Sequence, residues 1–196
     1  MNKKLSLGIV IVVVVLLIAG ASVLYTLLTN PETVGSTPGA LITGTSGQES
    51  PGQEPAGNLE LAPDFEMLDS NGNTVRLSDY AGQPIVLNYW ASWCPPCVAE
   101  LPDFEKLYKE YGSEVQFIML NSTDSTRETV EHATAFAKDQ GFTFPLFFDI
   151  SGEAAYVNNI TSIPQTFFIN KDGYLVSYRI GMLSESDLRS GIASIG

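Results

Sequence analysis

Cys94 and Cys97 are the only cysteines among 196 residues, and two residues separate them. They lie inside Ile85–Phe104, IVLNYWASWCPPCVAELPDF, where an apolar, strand-like run leads in and a helical pattern leads out. A Cys-x-x-Cys pair between a strand and a helix reads as a dithiol redox centre. A purely structural bridge fits less well, because so short a loop constrains little of the unfolded chain. Zinc fits less well too. It takes about four ligands, and beside the two thiols there is a single histidine, His132, within a predicted helix.

The elements that must position this pair can be read from periodicity. Phe65–Leu68 and Thr74–Leu77 flank a Gly-containing turn and predict a β-hairpin. Ile85–Tyr89 is nearly all apolar, as a strand covered on both faces requires. Cys97, Leu101, Phe104, Tyr108 and Tyr111 recur at helical spacing up to Gly112, with Pro95 and Pro96 in the first turn and Pro102 inside, where a kink is expected. Val115–Leu120 predicts a second buried strand, residues 126–140 a helix, residues 145–148 a strand and residues 153–157 a short helix. Thr166–Ile169 and Tyr174–Arg179 form a second hairpin, and a last helix covers 185–194 with Ser184 as its N-cap. Strands alternating with helices, with hairpins at both ends, predict an α/β fold around a mixed sheet.

The chain before this domain differs in composition. Lys3 and Lys4 precede 24 uncharged, mostly apolar residues, Leu5–Leu28, enough for a bilayer-spanning helix of about 20 residues. A signal anchor over 1–28 is therefore expected, single-pass in the cell membrane, with the N-terminus cytoplasmic and the domain extracytoplasmic. Cleavage at Ala19-Gly20-Ala21 is the alternative, although the apolar run continues past it. Residues 29–58 are rich in Gly, Ser, Thr and Pro and predict a flexible linker, leaving 59–196 as the folded domain. Setting aside Lys3, Lys4, Glu32, Glu49 and Glu54, that domain holds 8 Lys+Arg against 19 Asp+Glu. With no basic stripe, nucleic acid is not an expected partner.

Trp93-Cys94-Pro95-Pro96-Cys97 after a strand, together with Ile163-Pro164-Gln165-Thr166, resembles the thioredoxin superfamily. More narrowly, the chain is similar to the membrane-tethered TlpA/ResA branch, over roughly residues 61–190 and including the N-terminal hairpin and a helix–strand insert at about 126–148. The resemblance implies a thioredoxin-like fold, a cis bond before Pro164 that lies against the dithiol, and no cofactor beyond a redox-active Cys94–Cys97 disulfide. It also implies protein substrates carrying thiols or disulfides, with apocytochrome c as the example, and a membrane electron donor if the protein is a reductase.

Cys94, at a helix N-terminus where orphan N–H groups favour a thiolate, is the expected attacking thiol, and Cys97 the resolving one. Many thioredoxins place an Asp six residues before the first cysteine; here that residue is Asn88, which cannot titrate. Glu100, one helical turn past Cys97, is the expected proton-handling carboxylate, the alternative being an exposed first-turn glutamate. Trp93, Pro95, Pro96, Ile163 and Pro164 are the expected docking surface. The expected activity is thiol–disulfide exchange, as a reductase in cytochrome c biogenesis, with a disulfide-forming oxidase as the alternative. A peroxiredoxin-type peroxidase is a weaker rival: Ala62–Phe65 and Leu77–Tyr80 resemble that family's openings, but Leu87 and Ala91 stand where its Pro-x-x-x-Thr-x-x-Cys motif would need Pro and Thr before Cys94.

Overall fold

The computed structural model describes residues 59–196. Its centre is strand β4, Ile85–Trp90, in which every residue is buried. Such a strand needs partners on both edges and apolar cover on both faces. Strand β5, Gln116–Asn121, runs parallel to it on one side, and β7, Gln165–Ile169, runs antiparallel on the other. The remaining strands are β1 (Glu60–Leu61), β2 (Glu66–Asp69), β3 (Thr74–Arg76), β6 (Leu146–Phe148) and β8 (Tyr174–Ile180). Together they form one eight-stranded mixed sheet in the order β1-β8-β7-β4-β5-β6-β2-β3. The predicted α/β fold with a mixed central sheet is thus observed.

Alternation along β4 divides the core in two. Val86 and Trp90 face a layer with Leu101, Phe104, Phe168, Leu188 and Ile192. That layer is covered by helices α1 (Pro95–Tyr111), α2 (Val130–Asp139) and α4 (Glu185–Ile195). Ile85, Leu87 and Tyr89 face the other layer, with Phe65, Leu120, Phe167 and Ala154 of the short helix α3 (Glu153–Val157). Asn88 falls on the first face, opposite Thr166 in the register of β7. The N-terminal hairpin β2–β3 joins the sheet through β6, so the helix–strand insert is what ties the hairpin to the domain.

Pro102 lies inside helix α1, as expected. Two local features differ from the sequence reading. Helix α2 starts at Val130, four residues later than expected, because Asp124 Oδ1 accepts the N–H groups of Thr126, Arg127 and Glu128 and holds them in a turn. Strand β1, two exposed residues paired with β8, carried no pattern by which to find it.

The localisation is corrected. Among the described residues no helix is long and apolar enough to cross a membrane; the longest, α1, has 17 residues, carries charges and packs on the sheet. Residues 1–28 and 29–58, on which the anchor and linker expectations rest, lie outside the described residues.

Candidate active site

The dithiol sits where β4 hands over to α1. Cys94 N–H donates to Ala91 C=O at 3.2 Å, closing a turn over residues 91–94. Cys94 is then the N-cap of α1, and its Sγ accepts the Cys97 N–H at 3.3 Å. Ser, Thr, Asp or Asn usually fills this position, so a cysteine there exposes its sulfur to donors that stabilise negative charge. The two cysteines are joined as a disulfide, with Cα atoms 5.3 Å apart. Both are buried, Cys94 4% exposed and Cys97 fully enclosed.

The Ile163–Pro164 bond is cis. This loop brings the Ile163 carbonyl to 3.8 Å from Cys94 Sγ, a van der Waals contact while the sulfur is in a disulfide and a possible acceptor once it is a thiol. Pro164 is buried, and its own carbonyl accepts Gly181 N–H at 2.8 Å. Trp93 is 39% exposed, Pro95 and Pro96 are exposed and Ile163 is half-buried. The structure therefore brings Cys94 and the Ile163–Pro164 loop together, with Trp93, Pro95 and Pro96 on the surface around them.

Glu100 lies deeper and is only 1% exposed, which excludes the solvated alternative. Its Oε1 accepts Asn88 Nδ2 at 2.8 Å, and its Oε2 accepts Leu183 N–H at 2.8 Å. Burial raises its pKa to about 7, against the lowering effect of these two donors, while Asp103 adds a smaller upward push. A buried carboxyl titrating near neutrality can take or give a proton. Asn88 Nδ2 also donates to Thr166 Oγ1 at 3.0 Å, so the amide is fixed from β7 as well.

Sequence reasoning missed the turn before α2. Glu128 is fully buried, and its Oε2 accepts Ser92 N–H at 2.6 Å, a charge-assisted bond to the residue two before Cys94. Its Oε1 stands 3.0 Å from His132 Nδ1, a hydrogen bond only when that nitrogen carries a proton. The adjacent Arg127 places its guanidinium 4.1 Å from the centroid of the Trp93 ring. In the sequence, Asp124 as a turn former was the available signal. Among the described residues no group of three or more His, Cys, Asp or Glu could hold a metal ion.

A strand, a Cys-x-x-Cys turn and a helix, faced by a cis-proline loop on a mixed sheet, define a thioredoxin-like dithiol protein. The chain belongs to the AhpC/TSA family, whose profile matches residues 59–178, and is a thiol–disulfide oxidoreductase of the ResA type. It is 34% identical over 134 residues to the thiol-disulfide oxidoreductase ResA of Geobacillus kaustophilus, covering 68% of this chain and 75% of that protein. It is also 34% identical over 130 residues to the thioredoxin-like protein YneN of Bacillus subtilis, covering 66% and 75%. Among solved structures, StoA from Bacillus subtilis superposes with a TM-score of 0.57 at 28% identity, over 66% of this chain and 96% of that one. The resemblance to the ResA branch is thereby borne out.

Proposed function

We propose that the protein is a reductase of protein disulfides in which Cys94 attacks, Cys97 resolves and Glu100 handles the proton. Cys94 thiolate attacks a substrate disulfide, forming a mixed disulfide and releasing one substrate thiolate. Cys97, deprotonated, then attacks Cys94 Sγ; the second substrate thiolate leaves and the Cys94–Cys97 disulfide forms. Two electrons pass to the substrate, and a separate thiol donor returns them to the dithiol. Trp93, Pro95, Pro96, Ile163 and Pro164 form the surface on which the substrate docks.

The observation that carries the direction is the burial of Glu100 one helical turn beyond Cys97, with its pKa raised to about 7. A carboxyl in that state accepts the Cys97 proton near neutral pH. In the ionised form that precedes this transfer, its charge disfavours a neighbouring thiolate, making the reduced dithiol the less stable form and a better electron donor. Apocytochrome c, with its haem-attachment cysteines, is the substrate that the ResA-type resemblance suggests.

The test is a Cys97→Ser chain expressed in its own cells, where the mixed disulfide stalls on Cys94 and its partner is identified by mass spectrometry. A cysteine pair of an apocytochrome on Cys94, together with a mostly reduced wild-type dithiol, is expected. A mostly oxidised dithiol bound to substrates that gain disulfides would make the protein an oxidase instead.

A further inference from the structure

The residues that grip the dithiol turn come from one short stretch. Asp124 Oδ1 takes three consecutive backbone N–H groups, at 2.8, 2.7 and 3.2 Å, which shapes residues 124–128. Glu128 then bonds the Ser92 N–H, and Arg127 covers the ring of Trp93. These are the two residues immediately before Cys94. A backbone bond from a fully buried carboxylate fixes this stretch relative to the nucleophile, so the Arg127 guanidinium is held at a set place on the rim.

Arg127 has capacity to spare. Only its Nε is engaged, with Asp124 Oδ2 at 3.3 Å; among the described residues neither terminal nitrogen makes a hydrogen bond, and the side chain is 65% exposed. Asp124 Oδ1 is taken up by backbone N–H groups and Glu128 Oε2 by Ser92, while Asp124 Oδ2 meets Arg127 only at Nε and leaves the two terminal nitrogens open. The domain as a whole, Arg127 included, carries 11 more acidic than basic residues, which disfavours the approach of an acidic peptide. A guanidinium with two open nitrogens, stacked on the exposed tryptophan beside the attacking sulfur, makes a local exception.

We propose that Arg127 determines substrate specificity, forming with Trp93 a subsite for an aspartate or glutamate side chain that flanks the target cysteine. The planar fork pairs with a carboxylate through two parallel N–H groups, and stacking on the indole orients it for that contact. The proposal rests on Cys94 exchanging with peptide disulfides and is independent of which way electrons flow.

Two disulfide-bonded peptides test it, with acetylated and amidated ends so that no terminal carboxylate competes. They differ only in whether Glu or Lys flanks the cysteine. With dithiothreitol as the reductant, the wild type is expected to favour the Glu peptide by about tenfold in kcat/KM, carried in KM. Arg127→Glu is expected to reverse the order, and Arg127→Lys, which keeps the charge without the fork, to give a smaller preference. Added salt is expected to shrink the wild-type ratio. A wild-type ratio within about twofold of unity, or one that Arg127→Glu leaves unchanged, overturns the proposal. Failure of the disulfide-exchange reading looks different: neither peptide is then reduced.

Discussion

Asn88 in β4 and Glu100 in α1 share a hydrogen bond of 2.8 Å inside the protein, with no solvent access to either side chain beyond 1%. The strand that leads into the dithiol and the helix that leads out are thereby joined through one carboxyl. Leu183 N–H holds the other oxygen of that carboxyl, and Gly181 N–H holds the carbonyl of Pro164. The 181–183 loop therefore touches both the proton-handling group and the loop opposite Cys94.

Glu100 makes stability depend on pH. Its carboxyl titrates near 4.5 when unfolded and about 7 when folded. Between those values the folded state keeps a proton that the unfolded state has lost, so stability falls as pH rises through this window. The loss is complete above the folded pKa and is on the order of 3 kcal/mol. Glu100→Gln removes this slope, although its single amide oxygen can serve only one of the two donors, Asn88 Nδ2 or the Leu183 N–H, at a pH-independent cost of about 1–3 kcal/mol. Denaturant unfolding of the oxidised protein at pH 5 and pH 8 is expected to show a smaller pH difference for the variant than for the wild type.

Asn88→Asp would place a second carboxylate against Glu100 in the core. The Asn88 Nδ2 donor to Oε1 disappears, and two like charges face each other at close range. The pair then shares a proton and titrates in two coupled steps, the upper one above the wild-type value near 7. Destabilisation of roughly 3 kcal/mol or more is expected at pH 8, and less at pH 5, where one proton remains. Carboxyl carbon NMR titration checks the steps, and unfolding at both pH values checks the energetics.

The parts that were legible in the sequence are those with a strong local pattern. Ile85–Trp90 could only be a covered strand, and Cys94 to Tyr111 showed its helical period with Pro at the first positions. The burial of Glu100 was less visible, since a glutamate in the first turns of a helix is ordinarily solvated; what encloses it is the Leu183 backbone, 83 residues away. Arg127 and Glu128 were hidden by helical periodicity, because the turn that diverts them depends on Asp124 competing for backbone donors. Strand β1 exists only through its pairing with β8, a contact no local pattern encodes.

Arg189 staples α4 to α1. Its terminal nitrogens meet both oxygens of Glu110 at 2.7 and 2.6 Å, its Nε meets Glu185 at 3.0 Å, and Nη1 meets Tyr111 Oη at 3.1 Å. The geometry is bidentate, but Arg189 is about one-third exposed and Glu110 more so, so water and salt screen the pair. Arg189→Ala is expected to lower the unfolding midpoint slightly at low salt, with the difference largely lost at 1 M salt. Paired denaturation curves at low and high salt measure it.

Gly191 in α4 brings two opposing effects into competition. Alanine in a helix interior is favoured over glycine by about 1 kcal/mol, so propensity alone predicts that Gly191→Ala stabilises. However, a Cβ at this position would run into the ring of Phe168, a fully buried residue of β7 next to the strand that carries the dithiol turn. The clash is with the Cε and Cζ atoms of a ring packed in the main core, which cannot swing away as a long flexible chain would. Overpacking of this kind costs typically 1–3 kcal/mol, and its upper range exceeds the propensity gain. Gly191→Ala is therefore expected to destabilise by about 1–2 kcal/mol net, and Phe168→Leu, which shortens the opposing side chain, to recover part of that loss in the double variant. A double-mutant cycle by denaturant unfolding checks it, and a Gly191→Ala protein more stable than the wild type would show that α4 can lift from the sheet.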